Sequence, residues 1–271
     1  MFNDLKDLIQ NTDISTIQFH ASDYELVLKQ SLAAYSDRHE DSPVFFWNNG
    51  YQNLVRLELV EKRLRYNTVQ SNEQFDTPLA LIQQNKLSPG LYIFDNLLDL
   101  DRLSAREKSI RESQIYNCAN RLEHQLGVKV ILLGEWIQLS PKLRLKLKQV
   151  QLGLPKAQEI EQVLQNELGF QPDTKLIFAC QGLAWGDIYH ELEQLSGSRA
   201  IAELSNKFLE VKEAKLNNSE LNLEYFSKPE ISSAGGNENL SDFLQKLAKL
   251  NEPTALQYGI KPPRAMVRAG K

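Results

Sequence analysis

Three short, continuous apolar runs, separated by helical patterns, are the feature that most constrains the fold of this chain. The runs lie in Pro43–Trp47, Leu91–Phe94 and Val128–Gly134, of which the last is apolar from Val130 onward and has Lys129 near its start. A strand with one face in water alternates apolar and polar side chains, whereas a strand buried on both faces is apolar throughout, as in parallel sheets. Because the runs alternate with helical patterns, they indicate βαβ units. The sequence therefore predicts an α/β fold with a parallel sheet between two layers of helices, joined by right-handed crossovers.

The pattern changes after Pro155, where four helices are predicted in succession, separated by Gly and Pro residues. The predicted ranges are 156–168, 172–181, 185–196 and 199–213. Residues 214–236 are polar and rich in Asn, Ser and Gly, which is typical of a linker. A last helix over 238–250 has an apolar stripe that needs a partner surface. The stripe consists of Leu240, Phe243, Leu244 and Leu247.

The composition is that of a globular protein and argues against nucleic-acid-binding, membrane and secreted proteins. Hydrophobic residues make up 42% and charged residues 24% of the 271 residues. The net charge of -4 gives no general attraction to nucleic acid or to an anionic membrane. No apolar run approaches the roughly 20 residues that cross a bilayer, and the first residues lack a secretory pattern. We therefore expect a cytoplasmic protein with no membrane partner, whose cysteines, Cys118 and Cys180, are reduced and buried.

The order of the elements resembles the core of an AAA-type ATPase. A strand ends in Asp95, a helix follows, a second strand ends in Gly134, and a Leu-Pro pair precedes a helical lid. In particular, the chain is similar to the N-terminal part of the AAA-type ATPases of cyanobacteria and plastid genomes, which place a degenerate ATPase-like domain ahead of an active one. The stretches that carry the resemblance are Leu91–Asp95, Val128–Gly134, Pro141–Pro155, Glu159–Leu168, Gln181–Leu183 and Gly235–Leu240.

The resemblance implies a division of the chain into four parts. Residues 1–150 form a degenerate AAA-like (P-loop-like) α/β domain, 151–213 a helical lid subdomain, 214–236 a linker, and 237–271 the truncated start of a second AAA module. The stretch Tyr258–Gly270 is similar to the run-in to a Walker A loop, but no Gly-x-x-x-x-Gly-Lys-Ser/Thr follows it. The chain is therefore expected to lie upstream of an ATPase module, in the cytoplasm or the plastid stroma.

Four residues are candidates for a vestigial nucleotide site, on the positions that the resemblance implies. Asp95 stands where an active relative holds magnesium, and Asn96 where a Glu would orient the attacking water. Glu135 occupies the place of a polar sensor of the terminal phosphate. Arg144 is the nearest equivalent of an arginine finger, although it also fits a solvated charged face. The Walker A position is assigned to Trp47–Leu54, which has no Gly-Lys-Ser/Thr.

Other polar residues give no strong signal for a site. The four histidines, His20, His39, His124 and His190, lack metal-ligand spacing. The carboxylates of Asp95, Asp99 and Asp101 are able to bind a cation, but acids in such a loop are more often turn and cap residues. We expect no metal and no cofactor in this chain, with ATP and magnesium belonging to the full-length family.

The sequence favours an interaction module and leaves two rivals open. The leading hypothesis is a non-hydrolysing regulatory or assembly portion of an AAA-type ATPase, which binds protein partners or self-assembles into a ring in the full-length family. The first rival is a weak nucleotide-binding ATPase that uses Asp95 and the Trp47–Leu54 loop. The second is an inert nucleic-acid factor similar to clamp-loader subunits, which the acidic balance of charge disfavours.

Overall fold

A computed structural model describes residues 2–39, 42–51, 53–61, 63–69, 78–99, 103–194, 198–217 and 238–250. The chain divides into two compact units, Met1–Val211 and Lys212–Lys271. The first unit contains a sheet with its flanking helices and a separate helical part. None of the helices described is long and apolar enough to cross a membrane.

Seven strands form one sheet in the first unit. They are β1 (Ile14–Gln18), β2 (Val44–Trp47), β3 (Val55–Val60), β4 (Arg63–Thr68), β5 (Gly90–Asp95), β6 (Val128–Gly134) and β7 (Lys148–Gln151). Their order across the sheet is β4-β3-β2-β5-β6-β1-β7. The five strands from β2 to β7 in this order pair in parallel, and β3 and β4 add an antiparallel hairpin at one edge. The predicted α/β fold class is confirmed.

Helices cover both faces of the sheet. The helices are α1 (Phe2–Asn11), α2 (Tyr24–Ser36), α3 (Pro78–Gln83), α4 (Ala105–Leu122) and α5 (Pro141–Arg144). Side chains of α1 and α2 share a core with Leu91 and Ile93 of β5. Side chains of α3, α4 and α5 share another core with Tyr92 and Phe94 of the same strand. Because successive side chains of a strand point to opposite faces, this alternation produces the three layers.

The helical part follows the last strand and has a core of its own. Its helices are α6 (Ala157–Leu168), α7 (Thr174–Cys180), α8 (Trp185–Glu193) and α9 (Ser198–Asn217). Leu164, Cys180, Ile188 and Phe208 meet in this core and are fully buried. Gly169 adopts a left-handed conformation with φ of 75° and ends α6, a role that glycine fills without strain. All four predicted helices are present, and both cysteines are buried and free, as predicted.

The helix that precedes the predicted linker is longer than predicted. Helix α9 continues to Asn217 and so includes the first residues of the predicted linker. Residues 218–236 and the tail 251–271 lie outside the described residues. Helix α10 (Glu238–Lys249) lies in the second unit, and on its predicted apolar stripe Phe243 is 47% exposed. The side chains of Leu240 and Leu244 lie outside the description.

Candidate functional site

The switch point of the sheet lies between β6 and β1. The chain leaves β1 through α2 toward β2, whereas it leaves β6 through α5 toward β7, in the opposite direction across the sheet. In open α/β sheets, ligands bind in the crevice where neighbouring strands part in this way, beyond their carboxyl ends. The segments that follow β1 and β6 are therefore the walls of the candidate site.

This topology corrects the predicted position of the Walker A loop. The strand before Trp47–Leu54 is β2, which pairs with β5 and β3 and lies away from the switch point. The sequence shows which segments are apolar strands but not which strands are neighbours in the sheet. For that reason the sequence alone points to β2 as the strand before the Walker A loop. The segment at the switch point is Phe19–Tyr24, which reads Phe-His-Ala-Ser-Asp-Tyr and also lacks Gly-Lys-Ser/Thr.

A carboxylate of the protein holds the helical part at the switch point. Asp23 is 1% exposed, and it ends a short 3-10 turn immediately before α2. The backbone N–H of Gly186 donates to its Oδ1 at 2.6 Å. Gly186 lies in the first turn of α8, where unsatisfied N–H groups and the helix dipole favour an anion. Asp23 thus occupies the start of a helix that is suited to bind an anionic group.

The approach between these two elements leaves no room for a side chain on α8. A Cβ atom added to Gly186 would lie 1.7 Å from the carbonyl oxygen of Ser22. Only glycine therefore allows α8 to pack on the turn before α2. The close packing and the hydrogen bond fix the start of α8 at the end of β1.

Asp95 lies at the carboxyl end of β5 and is 6% exposed. The hydroxyl of Tyr24, the first residue of α2, donates to its Oδ2 at 3.2 Å. Burial raises the pKa of Asp95 to about 6, against the opposing effect of the hydrogen bond from Tyr24. Burial, followed by the negative charge of Asp95, raises the pKa of the Tyr24 hydroxyl above its usual range, so this hydroxyl remains a donor.

Asn96 and Glu135 lie close to Asp95. The N–H of Asn96 donates to the carbonyl of Leu133 at 3.0 Å, and Asn96 takes a left-handed conformation with φ of 58°. Its backbone also forms a hydrogen bond that lowers the pKa of Asp95. Glu135 follows β6, and its charge raises the pKa of Asp95. The structure therefore brings three of the four predicted site residues together at one edge of the sheet.

Arg144 lies on a different element from the other three. It ends α5, whose Leu143 is buried in the core of the α4 face, opposite to the face of α2. Its Nε donates to the carbonyl of Leu139 at 3.0 Å, just before the start of α5. Of the lysines close to it in sequence, Lys146 pairs with Glu123 at 2.8 Å and Lys142 lies over the ring of Tyr116. These contacts fit the charged-face interpretation of Arg144.

The sequence did not single out Asp23, Gly186 or Tyr24 for the site. Asp23 directly precedes α2, which begins at Tyr24. The contact between Asp23 and Gly186 joins residues that are 163 positions apart. No local pattern contains such a contact. Among the residues described, no group of three or more His, Cys, Asp or Glu side chains is placed to hold a metal ion.

One curated protein shares part of its sequence with the chain. No protein-family profile matches. An "Uncharacterized AAA domain-containing protein ycf46" of Trieres chinensis is 29% identical over 151 residues, which are 52% of this chain and 30% of that relative. The match thus spans less than a third of the relative's length. This similarity supports the resemblance to AAA-type proteins.

Solved structures with a distant likeness to the chain include the following three. A chain of the HORMA:CdnC:Trip13 complex of E. coli MS115-1 has a TM-score of 0.46 at 12% identity, over 76% of this chain and 77% of that one. A DNA replication initiation factor has a TM-score of 0.35 at 13% identity, over 96% of this chain and 68% of that one. A RuvB mutant of Thermotoga maritima has a TM-score of 0.40 at 13% identity, over 95% of this chain and 85% of that one. With TM-scores this low, these likenesses transfer no property to the chain.

Proposed function

We propose that this chain is the non-hydrolysing, AAA-like portion of an AAA-type ATPase, and that it acts through protein contacts in the assembly or regulation of the ATPase ring. The observation that carries the proposal is the segment after β1. Phe19–Tyr24 supplies neither a glycine-rich loop nor Lys-Ser/Thr, and the carboxylate of Asp23 occupies the start of α8. A phosphate group at this position would meet a negative charge at short range.

The neighbouring side chains also oppose hydrolysis. The amide of Asn96 is not a base, so it cannot take a proton from an attacking water molecule as a carboxylate would. Glu135 adds a second negative charge near Asp95. In this proposal Asp95, Asn96, Glu135 and Arg144 are remnants of a nucleotide site, and ATP and magnesium bind in another part of the full-length protein.

Protein contact is the role that remains when phosphate chemistry is lost but the fold is kept. The sheet retains both helical layers and the helical part retains its own core, so the surface stays defined. A rigid surface of this kind is suited to hold partners or neighbouring subunits. We place the protein in the cytoplasm or the plastid stroma, without a membrane or nucleic-acid partner.

A hydrolysis assay tests the proposal. The purified chain is incubated with magnesium and ATP, and phosphate release is measured beside an Asp95→Ala variant. We expect release at background level in both. A turnover of roughly 1 per second or more, within the usual range of enzymes, that is abolished by Asp95→Ala would overturn the proposal.

A melting experiment separates the proposal from the rival in which Asp95 supports weak nucleotide binding. A ligand at about 100 times its Kd stabilises the native state by about 2.7 kcal/mol, which raises the melting temperature. We expect magnesium with ATP or ADP to leave the melting temperature unchanged. A rise that depends on nucleotide concentration and disappears in Asp95→Ala would establish the rival.

A further inference from the structure

A cleft runs between α2, the β3–β4 turn and α8. It consists of two adjoining cavities of about 840 Å³ and about 270 Å³. The residues that line both are Glu25, Leu26, Lys29, Tyr189 and Glu193. The cleft therefore lies between the sheet layer and the helical part of the first unit, and its smaller cavity reaches Ser22 and Gly186 at the switch point.

The cleft has an apolar lining in which Leu59 is exposed, Leu26 and Leu64 are partly exposed and Leu192 is largely buried. Leu26, Leu59, Leu64 and Leu192 line the larger cavity together with Tyr189. Leu59 is 41% exposed although it lies on a strand. Burying exposed apolar surface is favourable by about 25 cal/mol per Å². These side chains therefore offer a docking surface for apolar side chains of leucine size.

The rim of the cleft is strongly acidic. Among the residues that the structure describes, six carboxylates line the two cavities, namely Glu25, Glu61, Glu167, Asp187, Glu191 and Glu193. Lys29 and Arg63 are the cationic side chains within this described lining. Lys29 forms an ion pair with Glu25 at 3.0 Å, and this pair offsets part of the positive charge of Lys29. Negative charge of this density repels phosphate groups and attracts Lys and Arg side chains.

We propose that this cleft binds a basic amphipathic segment of a partner protein. Leucine-size side chains of the segment insert between Leu59, Leu64 and Leu192, and its Lys or Arg side chains pair with the glutamates of the rim. This is the groove mode of peptide recognition, in which apolar anchors supply affinity and flanking charges supply selectivity. The inference names the kind of partner for the proposed protein-contact function and rests on that function.

Fluorescently labelled synthetic peptides of about 14 residues, a length at which a helix becomes marginally stable, serve as probes. Two peptides contain only Leu and Lys, one with Leu at helical spacing and one with alternating Leu. A third replaces each Lys of the helical peptide with Glu. Anisotropy titrations with the full chain are expected to show saturable binding of at least one basic peptide and none of the acidic peptide.

Matched charge-reversal variants separate the cleft from diffuse attraction. Glu167 and Glu193 are exposed at the last turns of α6 and α8, where Lys is compatible with the helix dipole. The double variant Glu167→Lys, Glu193→Lys should weaken binding at least tenfold. The control Asp7→Lys, Glu203→Lys makes the same charge change at exposed residues outside the cleft. It should change affinity less than threefold, and Leu59→Thr should weaken binding without a change of charge.

Three results would overturn the inference. The first is that neither basic peptide binds. The second is that the cleft and control variants lose affinity equally, and the third is that the cleft variant binds as tightly as wild type. Circular dichroism and the melting temperature confirm that each variant folds. The hydrolysis assay reports separately on the proposed function, so ATP turnover together with peptide binding would refute that function and leave the cleft intact. If the chain neither hydrolyses ATP nor binds a basic peptide, the inference about the cleft is refuted and the proposed function is not.

Discussion

Replacing Asp95 with Asn should stabilise the protein at neutral pH. The carboxylate is 6% exposed, and burial is the largest cause of its raised pKa. A buried charge without a neutralising cation costs free energy in the folded state. Asn has nearly the same shape, and its amide oxygen still accepts the hydrogen bond that Tyr24 donates to Asp95.

The size of the effect follows from the shift in pKa. The pKa rises from 3.8 to about 6, and a shift of one unit corresponds to 1.36 kcal/mol, so the ionised Asp95 destabilises the fold by about 3 kcal/mol at most. Because the folded state binds this proton more tightly than the unfolded state, the penalty is absent below pH of about 4. It grows as the pH rises toward about 6 and stays constant above.

Urea denaturation of wild type and Asp95→Asn between pH 4 and 8 measures the effect. The free energy of unfolding of the variant should exceed that of wild type by about 1 to 3 kcal/mol at pH 7, and the difference should vanish near pH 4. Asp7→Asn, at an exposed position on α1, serves as the control and should show little change. A difference between wild type and Asp95→Asn that is flat across this range would refute the reasoning.

Two further substitutions test the packing. Gly186→Ala should destabilise the protein by about 1.5 to 3 kcal/mol or more, because the new Cβ displaces α8 from Ser22 and breaks a hydrogen bond to a charged group. Gly153→Ala, with nothing within 4 Å of the added atom, should be near neutral in the same urea denaturation. Ile131→Ala, at a 1% exposed site in β6, should cost about 2 to 5 kcal/mol. A loss below about half a kcal/mol would contradict its central position.

The sequence predicted the centre of the sheet but not its edges. The runs that form β2, β5 and β6 are apolar because both faces of these strands are covered. Charged residues interrupt β3 and β4, and the turn between them has Glu61 in a left-handed conformation, with φ of 51°, in place of Gly or Asn. The hairpin therefore lacked the usual turn signal. The short edge strand β7 has a polar sequence, which resembles a solvent-exposed charged segment and gives no strand signal.

The candidate site was predictable only in part for a related reason. Asp95 ends an apolar strand, Asn96 and Glu135 come directly after such strands, and the carboxyl ends of parallel strands lie at one edge of the sheet. Their proximity therefore follows from local patterns. The order of strands does not, and it is the order that places Phe19–Tyr24 at the switch point. The bond between Asp23 and Gly186 likewise depends on how the helical part packs, which no periodicity in the sequence encodes.

Hydrogen exchange at the amide of Gly186 tests the central claim most directly. This amide donates to a buried carboxylate at 2.6 Å, so it should exchange slowly although it lies in the first turn of a helix. The account predicts slow exchange that is the same with and without magnesium and ATP. Rapid exchange without ligand, or a change in protection that depends on ATP concentration, would contradict it, because a phosphate group would then compete with Asp23 for the start of α8.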